Sequence, residues 1–327
     1  MSPPIVGLVA NPASSKDIRR LVGLARVVDV EEKANMVARF LAGLWAGPPT
    51  VVVAFDDAAG LVRRAVHLTR STQTPPVEFL PLRPEGREAD TRRAAALLAE
   101  AGAGVLVTVG GDGTVRSAVE GWPDATLLPL AAGTNNAIVE PSEPTVAGYV
   151  AALVAAGRAS VDRTLTVLKV SGGPDGPAVA VVDAVGVRTR WTGARALWQP
   201  ESFVEAVVAN VRTTAVGMAS VAAAFGPIPA GHARHIVFGP GTQVRAILGP
   251  GLVTDVDVAS TRLIRRGEAV SFSSETRVVA LDGERRVVTP TSKVEVDRGP
   301  RLVQVAEVLE RTRKPASAEA ATAWTEE

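Results

Sequence analysis

Five consecutive residues, Gly110-Gly111-Asp112-Gly113-Thr114, combine three glycines, a carboxylate and a hydroxyl. Glycines let a backbone approach a ligand with no Cβ in the way. The string follows the apolar run Val105 to Val109 and precedes a helix-compatible stretch, Val115 to Glu120, so a strand, turn and helix are predicted there. The start of such a helix offers unpaired amides and the positive end of a dipole to phosphate, and Thr114 adds a hydroxyl donor. Asp112 is the odd member, because phosphates repel a carboxylate unless it binds Mg²⁺ or takes a proton from an attacking hydroxyl. The other reading of the same residues is a glycine-rich turn whose Asp112 caps the helix. The string is not a P-loop, having no Gly-Lys-Ser/Thr ending, and the third glycine of the dinucleotide fingerprint is absent.

Other polar residues carry chemistry with less definition. Asp183 interrupts an apolar strand, where it binds a substrate hydroxyl or is a satisfied structural carboxylate. Asn135 and Asn136 are able to bond ribose hydroxyls or to shape a turn, and Thr213 and Thr214 suit a substrate contact or a helix start. Asp282 and Glu284, flanking Gly283, stand between Mg²⁺ ligation and a hairpin turn. The basic stretches 262–266 and Arg285-Arg286 steer phosphates or form a solvated face. Trp191 and Trp198 suit ring stacking or packing. His67, His232 and His235 lack the spacing of a metal site, so no zinc is expected.

These residues need elements to hold them. Ile5 to Ala10, Thr50 to Phe55, Val77 to Leu82 and Val105 to Val109 read as strands, alternating with helical stretches near 31–45, 58–68 and 91–101. That alternation predicts a mostly parallel sheet with helices on its faces and ligands beyond the strands' carboxyl ends. A further helix is expected around 146–156. Beyond it the chain turns β-rich, with Leu165 to Val170 and Ala178 to Val187 flanking a long hairpin connection, an interval 203–225 that reads as largely helical, and six short strands between 235 and 296. Those strands predict a sandwich-like second domain. Residues 313–327 are Ala, Ser and Glu rich without periodicity and are expected to be a mobile tail.

Composition narrows the classes. The 327 residues are enough for two domains, and a net charge of +1 leaves no field for nucleic acid. The chain has no cysteine, which excludes disulfides, thiol nucleophiles and cysteine-held metals and fits a reducing cytoplasm. No signal peptide is read at Met1 to Ala10, and no run of about 18 to 20 apolar residues occurs, so a soluble protein without a membrane partner is expected. Arginine outnumbers lysine and Ala, Val, Gly and Pro abound, a bias that fits a GC-rich bacterial genome.

The glycine string resembles the signature turn shared by NAD kinases, diacylglycerol kinases and sphingosine kinases. Companions fall in the same order: Asn11-Pro12-Ala13-Ser14-Ser15-Lys16-Asp17 is similar to the superfamily's Asn-Pro loop. Ala131-Ala132-Gly133-Thr134-Asn135-Asn136 is similar to a Gly-Thr-x-Asn element of its lipid-kinase side, and Leu281-Asp282-Gly283-Glu284 to a late Asp-Gly-Glu element. Residues 16–21 and 192–198 bring the likeness nearest to the bacterial ATP-NAD-kinase-like proteins associated with acetoin breakdown. The likeness runs from about Ile5 to Val305. It departs from NAD kinases where Val182-Asp183-Ala184 replaces their Asn-Glu pair and where residues 213–218 only faintly match a Thr-rich segment.

The resemblance implies an α/β nucleotide-binding domain over 1–145, rejoined by a segment near 297–312, and a β-rich substrate domain over 146–296. It implies ATP and Mg²⁺ at a nucleotide site made by Asn11, Gly110, Gly111, Gly113, Thr114, Gly133, Thr134, Asn135 and Asn136. Asp112 would be the catalytic base and a Mg²⁺ ligand, Asp282 a second metal candidate, and Asp183, Thr213, Thr214, Asp282 and Glu284 candidates for substrate. The ribose 2′-hydroxyl of NAD is the leading acceptor, with a lipid or small hydroxyl metabolite as the alternative enzyme reading. A nucleotide-binding regulator without catalysis is a third. A homo-oligomer is compatible with all three.

Overall fold

The computed structural model describes residues 2–14, 23–25, 27–70, 72–133, 136–173, 176–189, 197, 199–212, 214–283, 285–288 by backbone, and 293–312. The first half alternates strictly: β1 (Ile5–Ala10), α1 (Val30–Trp45), β2 (Val51–Ala54), α2 (Leu61–Leu68), β3 (Val77–Phe79), α3 (Glu88–Glu100), β4 (Val105–Gly110), α4 (Asp112–Gly121), β5 (Thr126–Ala131) and α5 (Pro144–Ala155). The strands are short, apolar and rich in valine, and burial on both faces removes any need for alternation. They pair in parallel in the order β3-β2-β1-β4-β5. The chain's direction of progress reverses between β1 and β4, which opens a crevice at their carboxyl ends.

Helices cover both faces. Phe40, Leu41, Leu44 and Val150 of α1 and α5 pack with Leu8, Val107 and Leu128 on one side, while Leu98, Val115 and Val119 of α3 and α4 pack with Val9, Leu106 and Leu127 on the other. The α1–α5 crossing is close enough that a Cβ at Gly43 or Gly148 would collide with the facing backbone. The helical layer of the first sheet therefore extends past residue 145.

The second half contains β6 (Thr164–Ser171), β7 (Ala178–Ala180), β8 (Asp183–Val187), β9 (Phe203–Ala209), α6 (Met218–Ala223), β10 (His232–Gly249), β11 (Leu252–Arg265), β12 (Ala269–Ser271), β13 (Val278–Leu281), β14 (Arg285–Val288), β15 (Lys293–Leu302) and α7 (Val305–Thr312). β15 lies parallel to β5 at Arg301 and Leu302 and antiparallel to β6 over most of its length. One nine-stranded sheet thus runs from β3 to β7, and a six-stranded antiparallel sheet, β11-β10-β9-β8-β13-β14, faces its far end. Leu168, Val170, Val294 and Val296 of the first sheet meet Ala184, Val207, Val279 and Leu281 of the second in a sandwich core.

Three sequence expectations are corrected in this half. Phe203 to Ala209, read as helical with the interval 203–225, is a fully buried strand, and only Met218–Ala223 is helix. A short run buried all round has no period by which to tell strand from helix. Ala178 to Val187 is not one strand: β7 belongs to the first sheet and β8 to the second, with Val181 and Val182 at the corner between them. The strands expected at 235–238 and 243–248 are one strand, β10, with a register shift between Phe238 and Thr242.

Asn210 fixes the start of the connection after β9. Its backbone is left-handed, at φ 53°. Its amide accepts from Thr166 N at 3.0 Å and donates to Thr166 O at 2.6 Å and Val181 O at 2.7 Å, stitching the two sheets together. Asn210→Ala is expected to cost about 2–4 kcal/mol through three lost bonds and a strained alanine, and Asn210→Gly to recover about 1 kcal/mol by relieving only the backbone. Denaturant unfolding measures both, and wild-type stability for Asn210→Ala would contradict this role.

Candidate active site

Three loops leave the carboxyl ends of β1, β4 and β5, next to the switch between β1 and β4, and each is bonded to the other two. Asn11 Nδ2 donates to Thr114 Oγ1 at 2.9 Å, joining the β1 loop to α4. Ser14 Oγ donates to Ala132 O at 3.1 Å, joining it to the β5 loop. The Asp112 carboxylate closes the triangle, accepting from Ala137 N at 2.7 Å on Oδ2 and from Ile138 N at 3.3 Å on Oδ1.

The glycines serve contact, not unusual backbone angles. Gly111 is extended, at φ −107°, and neither it nor Gly110, Gly113 or Gly133 has a positive φ. A Cβ on Gly133 would instead run into Gly111 Cα, and one on Gly110 into the Thr114 side chain. The turn at Gly110 to Thr114 and the β5 loop therefore touch backbone to backbone. α4 starts at Asp112, and its N-cap, Gly111, has no side-chain capping bond, while Thr114 N closes back on Gly111 O at 2.9 Å, so what the helix start offers an anion is chiefly the positive end of its dipole.

Two cations that the sequence reading passed over, Lys33 buried and Arg212 half-buried, shape these loops. Lys33 of α1, 1% exposed, sends Nζ under the Asn-Pro loop to Pro12 O at 3.0 Å, Ser14 O at 2.7 Å and, more distantly, Asn11 O at 3.4 Å. Arg212, just beyond β9, donates to Ala137 O at 2.8 Å, Asn136 O at 2.9 Å and Val139 O at 3.3 Å. The β5 loop is thus gripped by its amides from Asp112 and by its carbonyls from Arg212. Both cations sit at positions where sequence alone reads an ordinary charged helix or loop residue; the available signal is the apolar surround of Lys33 on α1.

The remaining expected residues divide. Asn136 lines the loop, donating to Gly133 O at 3.3 Å, and its buried Oδ1 has no hydrogen-bond partner among the described residues. Thr134, Asn135, Thr213, Glu284, Trp191, Trp198, residues 16–21 and the tail lie outside the described residues, as does 192–198 apart from Leu197. Thr214 is exposed. Asp183 is buried at the start of β8. Asp282, placed among the metal and substrate candidates, is enclosed completely: Oδ1 accepts from Val181 N at 2.9 Å, Val182 N at 2.7 Å and Asp183 N at 3.3 Å, and Oδ2 lies 3.5 Å from Arg116 of α4. Burial pushes the Asp282 carboxyl up from the usual carboxylate range, against the pull of Arg116 and the amides. Burial alone would lower the Arg116 guanidinium, but Asp282 and Glu88 outweigh it and raise it. Arg262 and Arg266 stand exposed beside Glu268 and Asp297, so this basic stretch is a paired, solvated face.

A Mg²⁺ ion would find few protein donors at these loops. Among the described residues no three acidic or histidine side chains group as a metal cage. The Asp112 carboxylate and the Thr114 hydroxyl are a sparse oxygen set of the kind that suits Mg²⁺ held mainly by phosphates and water, while the Asn11 amide is engaged by the protein, Nδ2 donating to Thr114 Oγ1 and Oδ1 accepting from Ala13 N. A cleft of about 230 Å³ behind the loop, bounded by Ile138, Glu140, Gln304 and Leu309, contains no residue of the glycine turn.

This fold and loop set define the kinase-type nucleotide domain: residues 6–159 match the family model of the ATP-NAD kinase N-terminal domain. Residues 166–299 match the acetoin catabolism protein X C-terminal domain. The chain belongs to the acetoin catabolism protein X family: the protein of that name from Cupriavidus necator is 33% identical over 325 residues, spanning 93% of this chain and 90% of its own. Among solved structures, a chain described as a diacylglycerol kinase from Bacillus anthracis str. Sterne aligns with 94% of this chain and 99% of its own, at 13% identity and a TM-score of 0.46, a similarity too low to bear on function. No helix among the described residues is long and apolar enough to cross a membrane.

Gly133→Ala is expected to separate the two touching loops, lowering stability by about 1–3 kcal/mol. Calorimetric affinity for ATP with Mg²⁺ should fall with it. Wild-type affinity in this variant would show that the loop contact does not shape a nucleotide site.

Proposed function

We propose that the protein binds ATP over Gly110 to Thr114 and transfers its γ-phosphoryl group to a hydroxyl, with the ribose 2′-hydroxyl of NAD as the leading acceptor. The observation that carries this reading is the convergence of the β1, β4 and β5 loops at the sheet's switch point, around an α4 start with no side-chain cap. The phosphates lie against the α4 amides and the Thr114 hydroxyl, with Asn11 holding Thr114 in place. Asn135 and Asn136 orient the acceptor. Asp112 takes the proton of the acceptor hydroxyl as its oxygen bonds to the γ-phosphorus and the bond to the β-phosphate oxygen breaks, leaving ADP. Mg²⁺, when bound through Asp112 and the phosphates, supplies neutralisation of phosphate charge. Asp183, Thr213, Thr214 and Glu284 belong to the acceptor side. The reaction needs no membrane and no nucleic acid.

One observation favours a second reading, a nucleotide-responsive protein without turnover. Both Asp112 oxygens accept from backbone amides, so the carboxylate is already engaged in holding the β5 loop. Asp112→Asn separates the two. In the kinase reading, phosphate transfer from ATP falls about a hundredfold or more while ATP binding persists. Asn has one acceptor oxygen where Asp has two, so stability also falls, by about 1–3 kcal/mol for one amide left unpaired. The assay presents NAD, NADH, diacylglycerol, sphingoid bases and small polyols with ATP and Mg²⁺. Transfer undiminished in Asp112→Asn would sink Asp112 as the base, and no transfer by the wild type to any of them favours the responsive protein.

A further inference from the structure

Arg116 lies one helical turn beyond Asp112, on the same face of α4. Its guanidinium, 3% exposed, donates to Leu281 O at 3.1 Å and to Glu88 of α3 at 2.9 Å and stands 3.5 Å from Asp282 Oδ2. Asp282, on a left-handed backbone of φ 51°, passes the contact on through the Val181, Val182 and Asp183 amides. Those residues are the corner at which the chain leaves the first sheet for the second, and Asp183 opens β8. One face of α4 therefore grips the β5 loop through Asp112 and the second sheet through Arg116.

We propose that Arg116 and Asp282 are a positioning pair, through which nucleotide bound at the start of α4 orders the 181–183 corner and sets Asp183 toward the acceptor. This rests on the nucleotide reading above. Two features separate the pair from a simple staple. Among the described residues, Arg116 Nε and Asp282 Oδ2 are buried with no hydrogen-bond partner, so the contact is not closed to its limit. A buried ion pair also contributes less to stability than apolar packing of the same volume, and its best-attested use is to fix one arrangement over others. Anion binding at the start of α4 acts on the helix that holds both grips, so its effect reaches the corner through the single turn residue Asp282.

Hydrogen exchange of the full chain, read at the amides of residues 181–183 with and without saturating ATP and Mg²⁺, tests this. The wild type is expected to show exchange slowed about fivefold or more by nucleotide, the lower end of ordinary coupling between sites. Asp282→Asn keeps Oδ1 for the three amides but sets a neutral amide NH₂ against Arg116. It should lose the nucleotide-dependent slowing while its calorimetric affinity for ATP stays within about fivefold of wild type, the same scale of coupling. Arg116→Lys, which preserves charge but not the forked reach, should behave alike and covers the case in which Asp282→Asn does not fold. Slowing that survives in either folded variant, or wild-type ATP binding with no slowing at 181–183, overturns the pair's role and leaves the nucleotide reading standing. Absence of ATP binding by the wild type overturns both.

Discussion

β15 is the strand on which the architecture depends. Its last residues, Arg301 and Leu302, extend the parallel sheet beside β5, and the rest of it pairs antiparallel with β6. Its ladder with β6 shifts register between Arg298 and Arg301, where Gly299 lets the backbone pass Val167. The β-rich half is in consequence an outgrowth of the parallel sheet. Its second sheet has a face to pack on only because β6, β7 and β15 provide one.

From that sheet the site follows by close approach. Loops from β1, β4 and β5 start a strand spacing apart, and residues without Cβ allow two of them to touch. Touching loops bring unpaired backbone groups out of water, and the surrounding side chains satisfy them: Asp112 and Asp282 take amides, Lys33 and Arg212 take carbonyls. Each of these charges is held by bonds to backbone, the condition under which an ionised group tolerates burial. The same residues that look like reactive groups in sequence are thus also the frame of the loops.

How much could be read beforehand differs between the halves for a physical reason. In the first half each strand is followed by a helix of clear period, so Ile5 to Ala10 and Val105 to Val109 declared themselves, and the glycine turn fell at its proper place between strand and helix. In the second half Phe203 to Ala209 is apolar throughout, and nothing local shows that its neighbours are β8 and β10. The Asp-Gly of 282–283 was legible as a hairpin turn and does join β13 to β14, but its capture of the 181–183 amides is a contact across about a hundred residues. Lys33, Arg116 and Arg212 were illegible because a charged residue is normally solvated, and only the assembled fold surrounds them.

The shared sheet also determines what kind of motion is open to the protein. Two lobes joined by a linker are able to swing shut on a ligand like a clamshell, with a few hinge residues absorbing the rotation. Here the seam between the halves is a hydrogen-bonded ladder running from β5 through β15 to β6, and turning one half against the other would tear it. The parts left free to rearrange at the crevice are therefore the loops, on a platform that the ladder holds still.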